Sequence, residues 1–196
     1  GSLTFRSVDP VIEQIKEYSS IPVVLFPGSP LQLSDQADAV LLLSLISGRN
    51  PDYLIGSHVI AAPFLKESGL EIIPTGYLLI HGGRQTSVSY MSNTQPIPDD
   101  KPDIALATAL AGEMLGFKII FMDAGSGAIH PVPRDMIASV SSVIGLPLII
   151  GGGLKTPEDV RNAYDAGADI VVVGNAVEDY KDRLGQLINE RNRFNT

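Results

Sequence analysis

The chain has no cysteine among its 196 residues, which removes disulfide scaffolds, thiolate zinc sites and cysteine nucleophiles. Basic residues are scarce as well: 14 Lys and Arg stand against 22 Asp and Glu, a net charge of −8. A broad cationic surface for nucleic acid or acidic lipid is therefore not expected, and any anionic ligand must be held locally. No apolar run approaches the roughly 20 residues of a membrane span. The first residues carry no basic region followed by an apolar segment, so the expected location is the cytoplasm. His58, His81 and His130 lack ligand-like spacing and any HExxH pattern, so transition-metal chemistry is not expected either.

What is present is 44% hydrophobic and 18% charged residues with 19 Gly and 14 Pro, the composition of one globular domain over 1–196. Short apolar runs alternate with amphipathic stretches, the pattern of parallel βαβ units. Asp9-Pro10 is expected to open a helix whose inward stripe is Val11, Ile12, Ile15 and Tyr18, followed by a buried strand from Ile21 to Phe26. Pro27-Gly28-Ser29-Pro30 then breaks the chain. Only about a dozen residues precede the run Ala39 to Leu45, short for a crossover helix. A loop is expected in place of one helix.

Further along, Pro51 to Ser68 reads as a helix, Glu71 to Ile80 as a strand, and His81 to Lys101 as a long polar stretch of the functional or mobile kind. Pro102 to Leu115 reads as a helix that Asp99-Asp100 caps and Gly116 closes. Three more units follow, with strands at 118–123, 148–150 and 170–173. Thr156 caps one of their helices, and a last helix carries Val177, Tyr180, Leu184 and Leu187. Arg49-Asn50 fits either a diphosphate contact or a helix-start turn.

The glycines choose the architecture. A dinucleotide-binding sheet would place GxGxxG after an early strand. Here the clusters follow the last three strands, where a (β/α)8 barrel binds phosphate. The expected fold is thus α/β, a modified TIM barrel with one outer helix replaced by a loop. Gly1-Ser2 reads as the end of a preceding strand or as a vector-derived remnant. Either way the barrel is expected to be N-terminally incomplete by about one and a half strand-helix units.

Gly151-Gly152-Gly153 and Gly174-Asn175 let the backbone approach an anion and expose amides to it, a phosphate cradle. For any single glycine a simple turn is the better explanation, and it is the two clusters on consecutive strand ends that favour phosphate. Between them, Phe121-Met122-Asp123-Ala124-Gly125-Ser126-Gly127-Ala128 ends a buried strand in a carboxylate. Such a group needs a partner, and it either serves a ligand or caps its own loop.

Taken with Leu25-Phe26-Pro27-Gly28-Ser29, Gln32-Leu33-Ser34, Ser47-Gly48-Arg49-Asn50-Pro51 and Pro74-Thr75-Gly76-Tyr77, these segments resemble the geranylgeranylglyceryl phosphate synthase family over essentially the whole chain. That family includes bacterial relatives using other prenyl lengths. The resemblance implies a transferase of ether-lipid biosynthesis. It joins sn-glycerol 1-phosphate to a prenyl diphosphate, here geranylgeranyl diphosphate, with release of diphosphate and with magnesium. It carries glycerol-phosphate binding onto Phe121, Met122, Asp123, Ala124, Gly125, Ser126 and Gly127, and phosphate binding onto Gly152, Gly153, Gly174 and Asn175. Asp123 is the implied catalytic residue, accepting or orienting the hydroxyl proton.

Two departures stand out: the family pattern usually has Tyr and Glu where this chain has Phe121 and Asp123. Ser2 matches a magnesium-ligating Ser of the family, while the matching Asp lies outside the chain, so the chain as it stands is expected to be inactive or weakly active. Asp99-Asp100 lacks the repeat of the aspartate-rich motif of chain-elongating prenyl synthases. A homo-oligomer is expected, with at most transient membrane contact for the lipid product. The competing readings are a phosphate-handling barrel acting on ribosyl phosphates and a non-catalytic phosphate-binding fragment.

Overall fold

The computed structural model describes residues 7–179 and 183–194. Ser2 and Tyr180 lie outside them. Six parallel strands form one sheet in sequential order: β1 (Val24–Leu25), β2 (Ala39–Leu45), β3 (Glu71–Leu79), β4 (Ile119–Asp123), β5 (Leu148–Gly151) and β6 (Ile170–Val172). The helices are α1 (Asp9–Tyr18), α2 (Ser57–Glu67), α3 (Ser87–Ser92), α4 (Pro102–Met114), α5 (Arg134–Ser141), α6 (Pro157–Asp165), α7 (Asn175–Asp179) and α8 (Arg183–Phe194). Sequential parallel order is barrel topology. The described strands curl into a half-barrel with β1 and β6 at its edges.

Period-two alternation sorts the strand side chains into two layers. Along β4, Ile120 and Met122 join the cluster under the helices with Met136, Ile137 and Val140. Ile119 and Phe121 turn to the concave face with Leu41, Leu45, Tyr77, Leu79 and Ile149. Both faces are covered, which is why these strands read as continuous apolar runs. Pro74 is tolerated inside β3 because β4 pairing begins one residue later, at Thr75 opposite Ile119, so no ladder donor is missed there.

The expected missing helix is borne out. Between β1 and β2 there is a single 3-10 turn, Pro30–Gln32, capped by the Ser29 hydroxyl and closed by the Gly28 amide on Gln32 Oε1 at 2.9 Å. Thr156 caps α6 as expected, accepting from the Asp159 amide at 3.1 Å. Asn50 starts a turn, its Oδ1 taking the Asp52 amide at 3.1 Å, and a π-helical turn precedes α2.

Three expectations fail at the front and middle of the chain. Of the predicted α1 stripe only Ile12 is buried, and Tyr18 is 89% exposed. The strand expected over 21–26 pairs only at Val24 and Leu25, because an edge has a partner on one side only. Asp99 and Asp100 do not cap α4: the helix starts from Lys101 without a side-chain cap, and Pro102 supplies a first residue that needs none. Asp99 instead lies 4.0 Å from His81. The stretch 81–101 is also less irregular than expected, since it contains α3.

Candidate active site at the strand ends

Alternation along β4 sends Phe121 and Asp123 to the concave side and leaves Met122 and Ala124 buried under the helices. Of those two residues only the backbone faces the loop, and the Ala124 amide is already bonded to the Gly151 carbonyl at 3.0 Å. Asp123 is only 6% exposed. Its Oδ2 accepts from the Tyr77 hydroxyl at 2.5 Å and its Oδ1 from the Gly125 amide at 2.7 Å.

These donors are neutral, so burial dominates and raises the Asp123 carboxyl above the ordinary aspartate range, with the Tyr77 and Gly125 hydrogen bonds opposing it. Burial beside a carboxylate likewise pushes the Tyr77 phenol well up. Tyr77 therefore stays a proton donor at neutral pH. Asp123 is a carboxylate with enhanced proton affinity, the property expected of a general base.

Tyr77 was not among the residues expected to serve the site. It reaches Asp123 because β3 and β4 put Tyr77 opposite Phe121. The Phe26, Tyr77 and Phe121 rings pack with centroids 5.1–6.1 Å apart, and Phe26 remains 42% exposed. Leu41, Leu45 and Leu79 join Tyr77 and Phe121 in a buried apolar cluster on the concave side, and of the three rings only Phe26 is open to solvent.

The glycines divide by environment. Gly152 has φ +75°, and a methyl there would strike Asp123 Oδ1 and the amides of Gly125 and Ala124. Gly153, at φ +72°, abuts the backbone of His130 and Pro131 in the same way. Both are needed for close approach of one strand-end loop to the next. Around Gly174, by contrast, there is open space. Ser126 Oγ donates to Asn175 Oδ1 at 3.2 Å, joining the loops after β4 and β6. Among the described residues the amides of Ser126, Gly127, Gly152 and Gly153 have no protein acceptor, so four donors remain for an anion.

Other resembling motifs hold the frame. The Ser47 hydroxyl accepts from the Leu79 amide at 2.9 Å, and Asn50 Nδ2 donates to the Ser92 carbonyl at 2.6 Å. A separate cavity of about 420 Å³ opens by Leu148 and Asp169, at the other ends of the strands and away from Asp123.

The PcrB family model matches residues 1–191. The geranylgeranylglyceryl phosphate synthase of Spirosoma linguale is 58% identical over 185 residues, covering 94% of this chain and 74% of the relative. That of the archaeon Thermococcus gammatolerans is 49% identical, covering 87% and 67%. A crystal structure of (S)-3-O-geranylgeranylglyceryl phosphate synthase from Thermoplasma acidophilum, in complex with its substrate sn-glycerol-1-phosphate, superposes with a TM-score of 0.89. It is 32% identical, covering 96% of this chain and 77% of that one.

Proposed function

The chain belongs to the PcrB family, and on that footing we propose how its site performs the transferase reaction of ether-lipid synthesis. The substrates are sn-glycerol 1-phosphate and a prenyl diphosphate, geranylgeranyl diphosphate by the names of its relatives. The observation that carries the reading is Asp123, a buried carboxylate of raised proton affinity, set between an apolar concave surface and a rim of unpaired amides.

The glycerol phosphate is held by the loop 121–127 and by Gly152, Gly153, Gly174 and Asn175, with the phosphate on the free amides. The prenyl chain packs on the exposed ring of Phe26, which is backed by Tyr77 and Phe121. A glycerol hydroxyl attacks the allylic carbon. A carbon–oxygen bond forms there while the bond to diphosphate breaks and its electron pair leaves with the diphosphate. The hydroxyl proton passes to Asp123, whose oxygens each retain a lone pair beyond the bonds from Tyr77 and Gly125.

Magnesium belongs to this proposal through the resemblance. Among the described residues no group of three or more His, Asp or Glu side chains could hold a metal ion. Ser2, the ligand that the resemblance assigns within the chain, lies outside those residues, and no step above runs through the ion. Loss of product on chelation, restored by added magnesium, is the test of the cofactor. A homo-oligomer is proposed from the exposed apolar side chains Ile55, Val59 and Ile60, with light scattering as its test. Among the described residues no helix is long and apolar enough to cross a membrane. The proposed location is the cytoplasm, with transient contact for the lipid product.

Incubation with sn-glycerol 1-phosphate, radiolabelled geranylgeranyl diphosphate and magnesium should give a labelled ether phosphate and free diphosphate. Absence of that product at every prenyl length, from this chain and equally from one extended to the full length of its relatives, would overturn the reading, and product mass from mixed diphosphates reports the preferred length.

A further inference from the structure

The segment 82–86 is fastened to the Asp123–Ala128 loop at several points. The Gly82 carbonyl accepts from the Ile129 amide at 2.7 Å and the His130 amide at 3.2 Å. A methyl on Gly82 would lie 2.6 Å from the Ala128 methyl, and one on Gly125 would lie 2.7 Å from Thr86 Cγ2. Thr86 in turn is fixed as the cap of α3 by its reciprocal bonds with Ser89. Arg84 sits between these anchors, and a methyl on Gly127 would lie 2.6 Å from its Nη2.

Arg84 is exposed, and among the described residues it has no carboxylate or hydrogen-bond partner. The other cation near this loop, Lys155, donates to the Ile129 carbonyl at 3.0 Å. In a chain of net charge −8, a guanidinium held over a glycine loop without a carboxylate has its hydrogen-bonding fork free for an anion. The neighbouring Ser126 and Gly127 amides are unpaired as well.

We propose that Arg84 is a substrate-binding residue that grips the phosphate of sn-glycerol 1-phosphate against the Ser126–Gly127 amides. This rests on the reading of the loop as the glycerol-phosphate site. Closeness to Gly127, rather than to the apolar surface, favours the phosphomonoester over the prenyl diphosphate. The φ of +74° favours glycine at 127, and a side chain there would push the flexible guanidinium of Arg84 aside.

The test is Arg84→Gln beside Arg84→Lys, each checked for unchanged folding by circular dichroism. Arg84→Gln should raise KM for sn-glycerol 1-phosphate about 10–100-fold, the loss of a charge-assisted bond, with KM for prenyl diphosphate unchanged. Arg84→Lys should recover part of that loss. An unchanged KM for sn-glycerol 1-phosphate, or a rise confined to prenyl diphosphate, overturns the proposal. Calorimetric titration with inorganic phosphate needs no turnover. At least tenfold weaker binding by Arg84→Gln upholds the role of Arg84 even if no ether product forms, and equal binding overturns it.

Discussion

Asp123 and Glu190 are both nearly buried, at 6% and 5% exposure, yet their surroundings give them opposite chemistry. Glu190 on α8 accepts from Arg161 Nε of α6 at 3.0 Å and from Arg193 Nη1 at 3.0 Å. Two guanidiniums stabilise its charge, and its carboxyl is held below the ordinary range, chiefly by the Arg161 hydrogen bonds. Beside it the Tyr164 and Phe194 rings pack 5.1 Å apart, so the pair fastens α8 to α6. Asp123 is given only a phenol and one amide. A carboxylate with cationic partners keeps its charge and serves the fold, whereas one with neutral partners retains an appetite for a proton and can serve a reaction.

The largest effect that sharpens this contrast is on turnover. Asp123→Asn should slow ether formation about 100-fold or more, the usual contribution of a general base. The Asn oxygen can still accept from the Gly125 N–H while its amide nitrogen donates to the Tyr77 hydroxyl, so stability should fall by only about 1 kcal/mol. Because folding raises the Asp123 pKa, its stabilising contribution is full below the unfolded value and lost as pH rises through the folded one. Thermal melts of the Asp123→Asn variant should accordingly improve relative to wild type as pH increases. Turnover within threefold of wild type would break the contrast.

Gly152→Ala should come next. The left-handed backbone costs about 1–2 kcal/mol, and the new methyl pushes on Asp123 and the 124–125 amides, so both Tm and kcat should drop. Tyr77→Phe removes one donor from a buried carboxylate and should cost about 1–2 kcal/mol in urea unfolding. The smallest effect is expected for Glu190→Gln, because Gln still accepts from both arginines and water screens their half-exposed side chains. Here folding lowers the pKa, so the Glu190 contribution is present above the unfolded value and lost as pH falls through the folded one. The Tm deficit of the variant should therefore be seen at pH 7 and close in acid, with kcat unchanged.

The strands β2, β4 and β5 were legible in the sequence because burial on both faces writes a continuous apolar run. The turn replacing a helix was legible from spacing and Pro-Gly-Ser-Pro. The edge was not, since Ile21 to Phe26 is as apolar as a central strand and only pairing distinguishes them. Site residues on β4 were visible as a segment, but their facing was not: Met122 and Ala124 turn away while Asp123 turns in. Tyr77 is 46 positions from Asp123 and Arg84 lies in a polar stretch, so only the strand register and the loop anchors reveal either.

The most direct measurement is the pH dependence of kcat/KM for wild type and Tyr77→Phe side by side. Titrations of the substrate phosphates are common to both enzymes and cancel. The Tyr77 bond lowers the Asp123 pKa against the larger effect of burial, so its removal should move the acid limb to higher pH. Coincident acid limbs would contradict Asp123 as the base that takes the proton.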